Sequence, residues 1–195
     1  MNPKLNDKRT EVVQRVCESL SRDDLELGRS IIVRDYPFMP KERHPRNYSN
    51  YRKFTIFQKD GFIDRYSGDR LVFPGALKVL SVLYPQEFPY HKNGKMTLGH
   101  MAYWHLSPTV DHIHPYAAGG CNDDDNLVTT SMLHNGMKSG YTLEDLGWEL
   151  HPRGDPDRWD GLTRWFFEYV SRNRSLLNDN YVNIWYRVLL RSGHF

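Results

Sequence analysis

The sequence predicts an α+β chain that is mainly helical, with one strand–loop–strand–helix unit near its middle. Three observations predict it. Apolar residues recur at helical spacing near both ends: Val12, Val13, Val16 and Leu20, then Leu162, Trp165, Phe166, Tyr169 and Val170, then Tyr181, Ile184, Trp185, Val188 and Leu189. Two short β-favouring runs, 109–113 and 126–129, flank a loop that holds Pro115 and Gly119-Gly120. Thr130 or Ser131 can then cap a helix running to Ser139, with Gly140 as its stop.

Taken in order, Asn6 or Asp7 can cap the first helix. Ser21 can cap a second, with Leu25, Ile31 and Ile32 as buried candidates, and Tyr36-Pro37 and Met39-Pro40 end it. Residues 37–50 read as a basic, proline-containing linker. Tyr51–Gln58 fits helix or strand. Phe62–Tyr66 resembles a short strand, and Ser67-Gly68-Asp69 a turn. Pro74 sits near the start of a helix containing Leu77, Leu80, Val82 and Leu83, ended by Pro85. A loop over 85–100 carries His91, Lys92 and Lys95. Thr142 caps a short turn at 143–146, and the two amphipathic helices close the chain as core-forming or dimer-forming elements. The implied organisation is an N-terminal part (1–50) of helices and linker, a central domain (51–150, core 109–140), and a helical pair (151–195) packing on the core.

A length of 195 residues fits one domain, or one core with appended helices, and 5 Trp, 12 Tyr and 9 Phe argue against disorder. Cys17 and Cys121 are far apart and form no CxxC pair, which excludes a cysteine-rich zinc knuckle. The charged N-terminus lacks an apolar signal region, and no apolar run approaches the ~20 residues of a membrane span. The expectation is a cytoplasmic protein with no membrane partner. Net charge is only +2, but 41–53 concentrates Lys41, Arg43, Arg46, Arg52 and Lys53 around Tyr48 and Tyr51, with Glu42 its one acid. Such a segment can neutralise phosphates and stack on bases; its bland reading is a solvated, irregular surface.

The chemistry concentrates in one place. Asp111-His112 is followed 14 residues after the histidine by Asn126, and nine later by Asn135, with Lys138 three beyond. Phosphodiester hydrolysis needs an activated water, charge stabilisation and support for the leaving oxygen. An imidazole, with an ordinary pKa near ~6.5, suits proton abstraction at neutral pH, so His112 is the candidate general base. Asp111 and Asn135 offer oxygen to a metal, and an incomplete oxygen shell favours Mg2+ or Mn2+.

These residues resemble the HNH (ββα-metal) nuclease motif, in the Asp-His…Asn…Asn form found in the HNH domain of the CRISPR effector nucleases and in phage junction resolvases. The resemblance implies a ββα-metal unit and a metal-dependent endonuclease acting on DNA; restriction or phage defence, mobility and DNA packaging all stay open as its role. It implies one catalytic ion on Asp111 and Asn135, His112 activating water, Asn126 bracing the loop, and Lys138 reaching phosphate. Arg43, Arg46, Arg52 and Lys53 would contact the duplex, and double-strand cutting would call for a homodimer. The paired CxxC motifs of many HNH proteins are missing. The motif spans about 30 residues, and 62–148 also resembles bacterial HNH proteins of unassigned role. In a regular strand Asp111 and His112 face opposite ways, so both reach one phosphate only if the strand ends or twists there. His134 could replace Asn135 as ligand if the register shifts by one. Asp123, Asp124 and Asp125 read as a solvated loop, and His114 as a surface histidine. Two other classes stand beside the nuclease: a catalytically silent DNA-binding module on the same scaffold, and a zinc protein using His91, His100 and His105, whose spacing matches no zinc pattern.

Overall fold

The computed structural model describes residues 3–38, 48–116 and 119–193, with side chains of the first helix from Lys8 onward. Its elements are α1 (Pro3–Leu20), α2 (Leu25–Asp35), α3 (Asn50–Lys59), α4 (Pro74–Leu83), α5 (Ala102–His105), β1 (Pro108–His112), β2 (Leu127–Ser131), α6 (Met132–Lys138), α7 (Leu143–Leu146), α8 (Thr163–Arg172) and α9 (Asn180–Ser192). The fold is mixed, mainly helical with one two-stranded antiparallel sheet. The described residues fall into two compact units, one from 3–38 with 143–148, the other from 48–116 and 119–142 with 149–193.

The first unit is a helical hairpin. Asp24, not Ser21, caps α2 by accepting from the Leu27 N–H; Ser21 bonds back to the Cys17 carbonyl instead. Gly28 lets α1 approach, since a Cβ there would lie 2.9 Å from Ser19 Oγ. Ile31 is buried as expected, but Leu25 and Ile32 are exposed. The helices meet along the Ser19, Gly28, Ile31 face, which leaves those two outside.

In the second unit, α3, α4, α8 and α9 enclose an aromatic core. Phe73 meets Phe166 (5.1 Å between centroids) and Trp185 (5.2 Å), both edge-on. Tyr51–Gln58 resolves as helix, capped by Ser49 accepting from the Arg52 N–H. Pro74 opens α4, whose buried positions include Ala76, Leu77 and Val79; Val82 and Leu83 are exposed at its end. The expected strand at 62–66 reduces to a single Ile63–Arg70 bridge. On α8, Phe166 and Val170 are buried while Trp165, and Leu162 just before the helix, reach solvent; on α9, Val182 and Tyr186 join Trp185, Val188 and Leu189 inside, and Ile184 lies outside.

The sheet pairs Pro108 with Ser131 through to His112 with Leu127, and β2 is buried along its whole length. A buried strand edge must have its backbone groups satisfied. Two carboxylates do this. Asp60 accepts from the Thr129 N–H (2.7 Å) and Asp64 from the Ser131 N–H (2.8 Å), while the Arg65 N–H donates to the Thr129 carbonyl. Loop 60–66 therefore serves as a third strand and fixes the hairpin from which α6 departs. No helix among the described residues is long and apolar enough to cross a membrane.

Candidate active site

The expected catalytic and metal-binding residues lie at the β1–β2 hairpin and on α6. β1 ends at His112, where the chain bends into the loop. Gly119 has φ +92°, and at Gly120 a Cβ would fall on the His114 carbonyl oxygen, so both glycines are required where the loop folds back. Asn126 closes that loop: its amide oxygen accepts from the His114 N–H (2.8 Å), and its amide nitrogen donates to the carbonyls of His114 (3.0 Å) and Cys121 (2.8 Å).

His112 is 3 % exposed. Its Nε2 lies 2.8 Å from Asn122 Oδ1 and 3.2 Å from the Tyr48 hydroxyl, which itself donates to Asn122 Oδ1 at 2.9 Å. An oxygen that accepts from Tyr48 also accepts from the ring, so Nε2 carries the proton and Nδ1 is left as the basic nitrogen. Sequence reasoning missed Asn122 and read Tyr48 only as a stacking residue. Nothing in the spacing placed either beside His112, because loop folding brings them there.

Asp111 meets other partners. Its Oδ2 accepts from the Tyr66 hydroxyl (2.9 Å) and pairs with Lys138 Nζ (3.0 Å). Burial, and then the Asp111 charge, push the Tyr66 phenol far above its ordinary range, so it stays a donor. No fully buried side-chain oxygen or nitrogen lacks a partner among the described residues, so Oδ1, which has no protein partner there, is open to solvent. Asn135 Nδ2 lies 3.4 Å from Thr109 Oγ1. Thr109 and Asp111 are two apart on β1 and share a face, so the Asn135 and Asp111 side chains lie on one side of the hairpin. A carboxylate and an amide oxygen are donors of the hard type that Mg2+ or Mn2+ takes.

The phosphate contact expected of Lys138 is corrected. The side chain is fully buried, and its ammonium donates to the His112 carbonyl (2.7 Å) and pairs with Asp111. The helix face that carries Lys138 packs on β1 rather than facing solvent. Arg52 is likewise engaged: it donates to the Asn122 carbonyl and Asp124 carboxylate and lies 5.0 Å over the Tyr48 ring. Asp123, Asp124 and Asp125 are exposed, as expected, and Lys59 ties their loop to α3 by donating to the Asp124 carbonyl. Lys53 is half-buried on α3, and Arg43 and Arg46 lie outside the described residues.

His134 is engaged by Asp64. Its Nδ1 is 2.7 Å from Asp64 Oδ2. Asp64 also accepts from Thr130 Oγ1 and the Tyr66 N–H. Burial pushes the Asp64 carboxyl up, but hydrogen bonds from His134, Ser131 and Tyr66 outweigh it and hold the carboxyl below its ordinary value. The unfolded chain therefore takes up this proton first as pH falls. The stability Asp64 contributes is full above about pH 4 and is lost as pH drops towards its folded value. Urea unfolding at pH 5 and pH 3 should show this loss. Asp64→Asn should unfold more readily at neutral pH, by on the order of 1–3 kcal/mol, with a flatter acid response; an unchanged acid slope would remove Asp64 as its source.

Among the described residues no group of three or more His, Cys, Asp or Glu side chains is arranged so that it could hold a metal ion. His91 and His100 each spend Nδ1 on backbone N–H groups of their own loop. Compared with known proteins, the chain matches no family model, no curated protein and no solved structure.

Proposed function

We propose that this chain is a metal-dependent endonuclease of HNH type that hydrolyses DNA phosphodiester bonds. The observation that carries the reading is the pairing of His112 Nε2 with Asn122 Oδ1 at 2.8 Å. Asn122 holds the Nε2 proton, and Nδ1, the basic nitrogen, has no partner among the described residues. Two further features support it: the Asn126 brace across the His114–Cys121 loop, and two oxygen donors, Asp111 and Asn135, on one side of the hairpin.

In this reading His112 Nδ1 takes the proton from the attacking water, and the Asn122 oxygen steadies the imidazolium that results. Asn126 keeps the loop closed so that Asn122 stays in reach. Asp111 and Asn135 would hold Mg2+ or Mn2+, which would supply charge stabilisation to the phosphorane and the leaving 3′ oxygen. The products would be 5′-phosphate and 3′-hydroxyl ends. Asn122 is a positioning residue. Asn122→Ala should slow cleavage about 10- to 100-fold. Asn122→Asp should move the acid limb of the pH–rate profile to higher pH, because a carboxylate beside the ring favours its charged form. A profile that stays in place in Asn122→Asp would reduce Asn122 to a structural role.

A second reading has its own observation. Lys138 already neutralises Asp111, and His112 and Asp111 meet separate partners, as suits a DNA-binding protein on the same scaffold without catalysis. The test is conversion of supercoiled plasmid with Mg2+, Mn2+ or EDTA. Nicking or linearisation that requires metal supports the nuclease. DNA retention in a gel shift without cleavage under any metal supports the silent module.

A further inference from the structure

The second unit carries a cleft of about 210 Å³ away from His112, between the long loop that follows α4, the start of α6 and the start of α9. Ser107, just before β1, and Met132, the first residue of α6, form part of its lining. It therefore opens at the Pro108–Ser131 end of the hairpin, whereas His112 pairs with Leu127 at the other end, roughly 13 Å along the strand.

Its walls are aromatic and held in place. Tyr90 sits 5.1 Å from Tyr103 and 5.6 Å from Tyr181, with the Lys78 ammonium 4.3 Å from its ring centroid and anchored on Asp179. The Trp104 indole N–H donates to the Gly94 carbonyl, which fixes the loop across the cleft. The polar groups are mostly donors. Lys92 and Lys95 are exposed and line it. His91 and His100 accept backbone N–H groups at Nδ1, which places the ring proton of each on Nε2. Ser107 is 7 % exposed and its hydroxyl has no partner among the described residues.

Aromatic walls select a planar ring, and a cationic, donor-rich rim selects an anion. A nucleotide combines both. We infer that this cleft binds one unstacked nucleotide, its base against Tyr90 and Trp104 and its phosphate at Lys92 and Lys95. The nucleotide comes either from a nucleic-acid strand or free in solution. Its placement on a strand that also crosses His112 rests on the nuclease reading, and would make a substrate with an unpaired base the preferred one.

The experiment uses the full chain in EDTA, so that binding is read without cleavage. Fluorescence of 2-aminopurine is followed in three probes: the free 5′-monophosphate, a single-stranded decamer, and the same decamer in duplex. The expected result is quenching on the unpaired probe, with roughly tenfold or greater loss of affinity in Tyr90→Leu and in the exposed double variant Lys92→Gln/Lys95→Gln. Quenching of the decamer assigns the nucleotide to a strand; quenching of the monophosphate alone assigns it to a free ligand. No saturable binding of either unpaired probe, or affinities unchanged in both variants, overturns the inference. His112→Ala run alongside separates the two claims, because it should lose cleavage and keep the quenching.

Discussion

For the nuclease proposed above, His112→Ala is expected to slow metal-dependent nicking of plasmid by about 10²–10⁴-fold, the range for removing a positioned general base. The fold should survive, because Asn122 and Tyr48 keep their own 2.9 Å hydrogen bond and Asn126 still closes the loop. Circular dichroism and a cooperative urea transition would establish that, and a gel shift would show that DNA is still bound. A folded variant with undiminished activity would mean that another group, or a contaminating enzyme, supplies the base. The effect should exceed that of Asn122→Ala, since the latter removes only the orienting oxygen.

Lys138→Met is expected to cost about 3–5 kcal/mol of stability, the range for removing one partner of a buried ion pair. Methionine fills much of the same space, so the loss comes from charge rather than volume. Asp111 would keep only the Tyr66 hydroxyl, and the His112 carbonyl would lose its donor. Urea unfolding gives the magnitude. Adding Asp111→Asn in the Lys138→Met background should return part of the loss, because the buried charge left behind disappears. Two single variants that each cost under about 1 kcal/mol and add without coupling would show that the pair is not the anchor of α6 on β1.

The candidate site was legible in the sequence to different depths. Asp111, His112, Asn126 and Asn135 stood out because an acid–base group, oxygen donors and a glycine pair fell in one ordered run. The strand bounds read from it, 109–113 and 126–129, lie within two residues of β1 and β2. Lys138 was misread for a physical reason. Spacing gives the helix face a residue shares, and only packing tells whether that face meets solvent or a strand. The same limit explains Leu25, Ile32 and Val82, all apolar at helical spacing and all exposed. Asp60 and Asp64 showed no signal, because a carboxylate that replaces a missing strand looks like any acidic residue in a turn.

From the residues alone follow the helical majority, the single hairpin and its helix, and the gathering of Asp111, His112, Asn126 and Asn135 at that hairpin and helix. These depend on local periodicity, turn chemistry and side-chain type, which the chain carries wherever it folds. Tertiary structure decided the tautomer of His112, the burial of Lys138 against Asp111 and the aromatic cleft at the far end of the hairpin. Each joins side chains from separate segments, such as Tyr48 with Asn122 or Tyr90 with Tyr181, and only the closed core sets those distances.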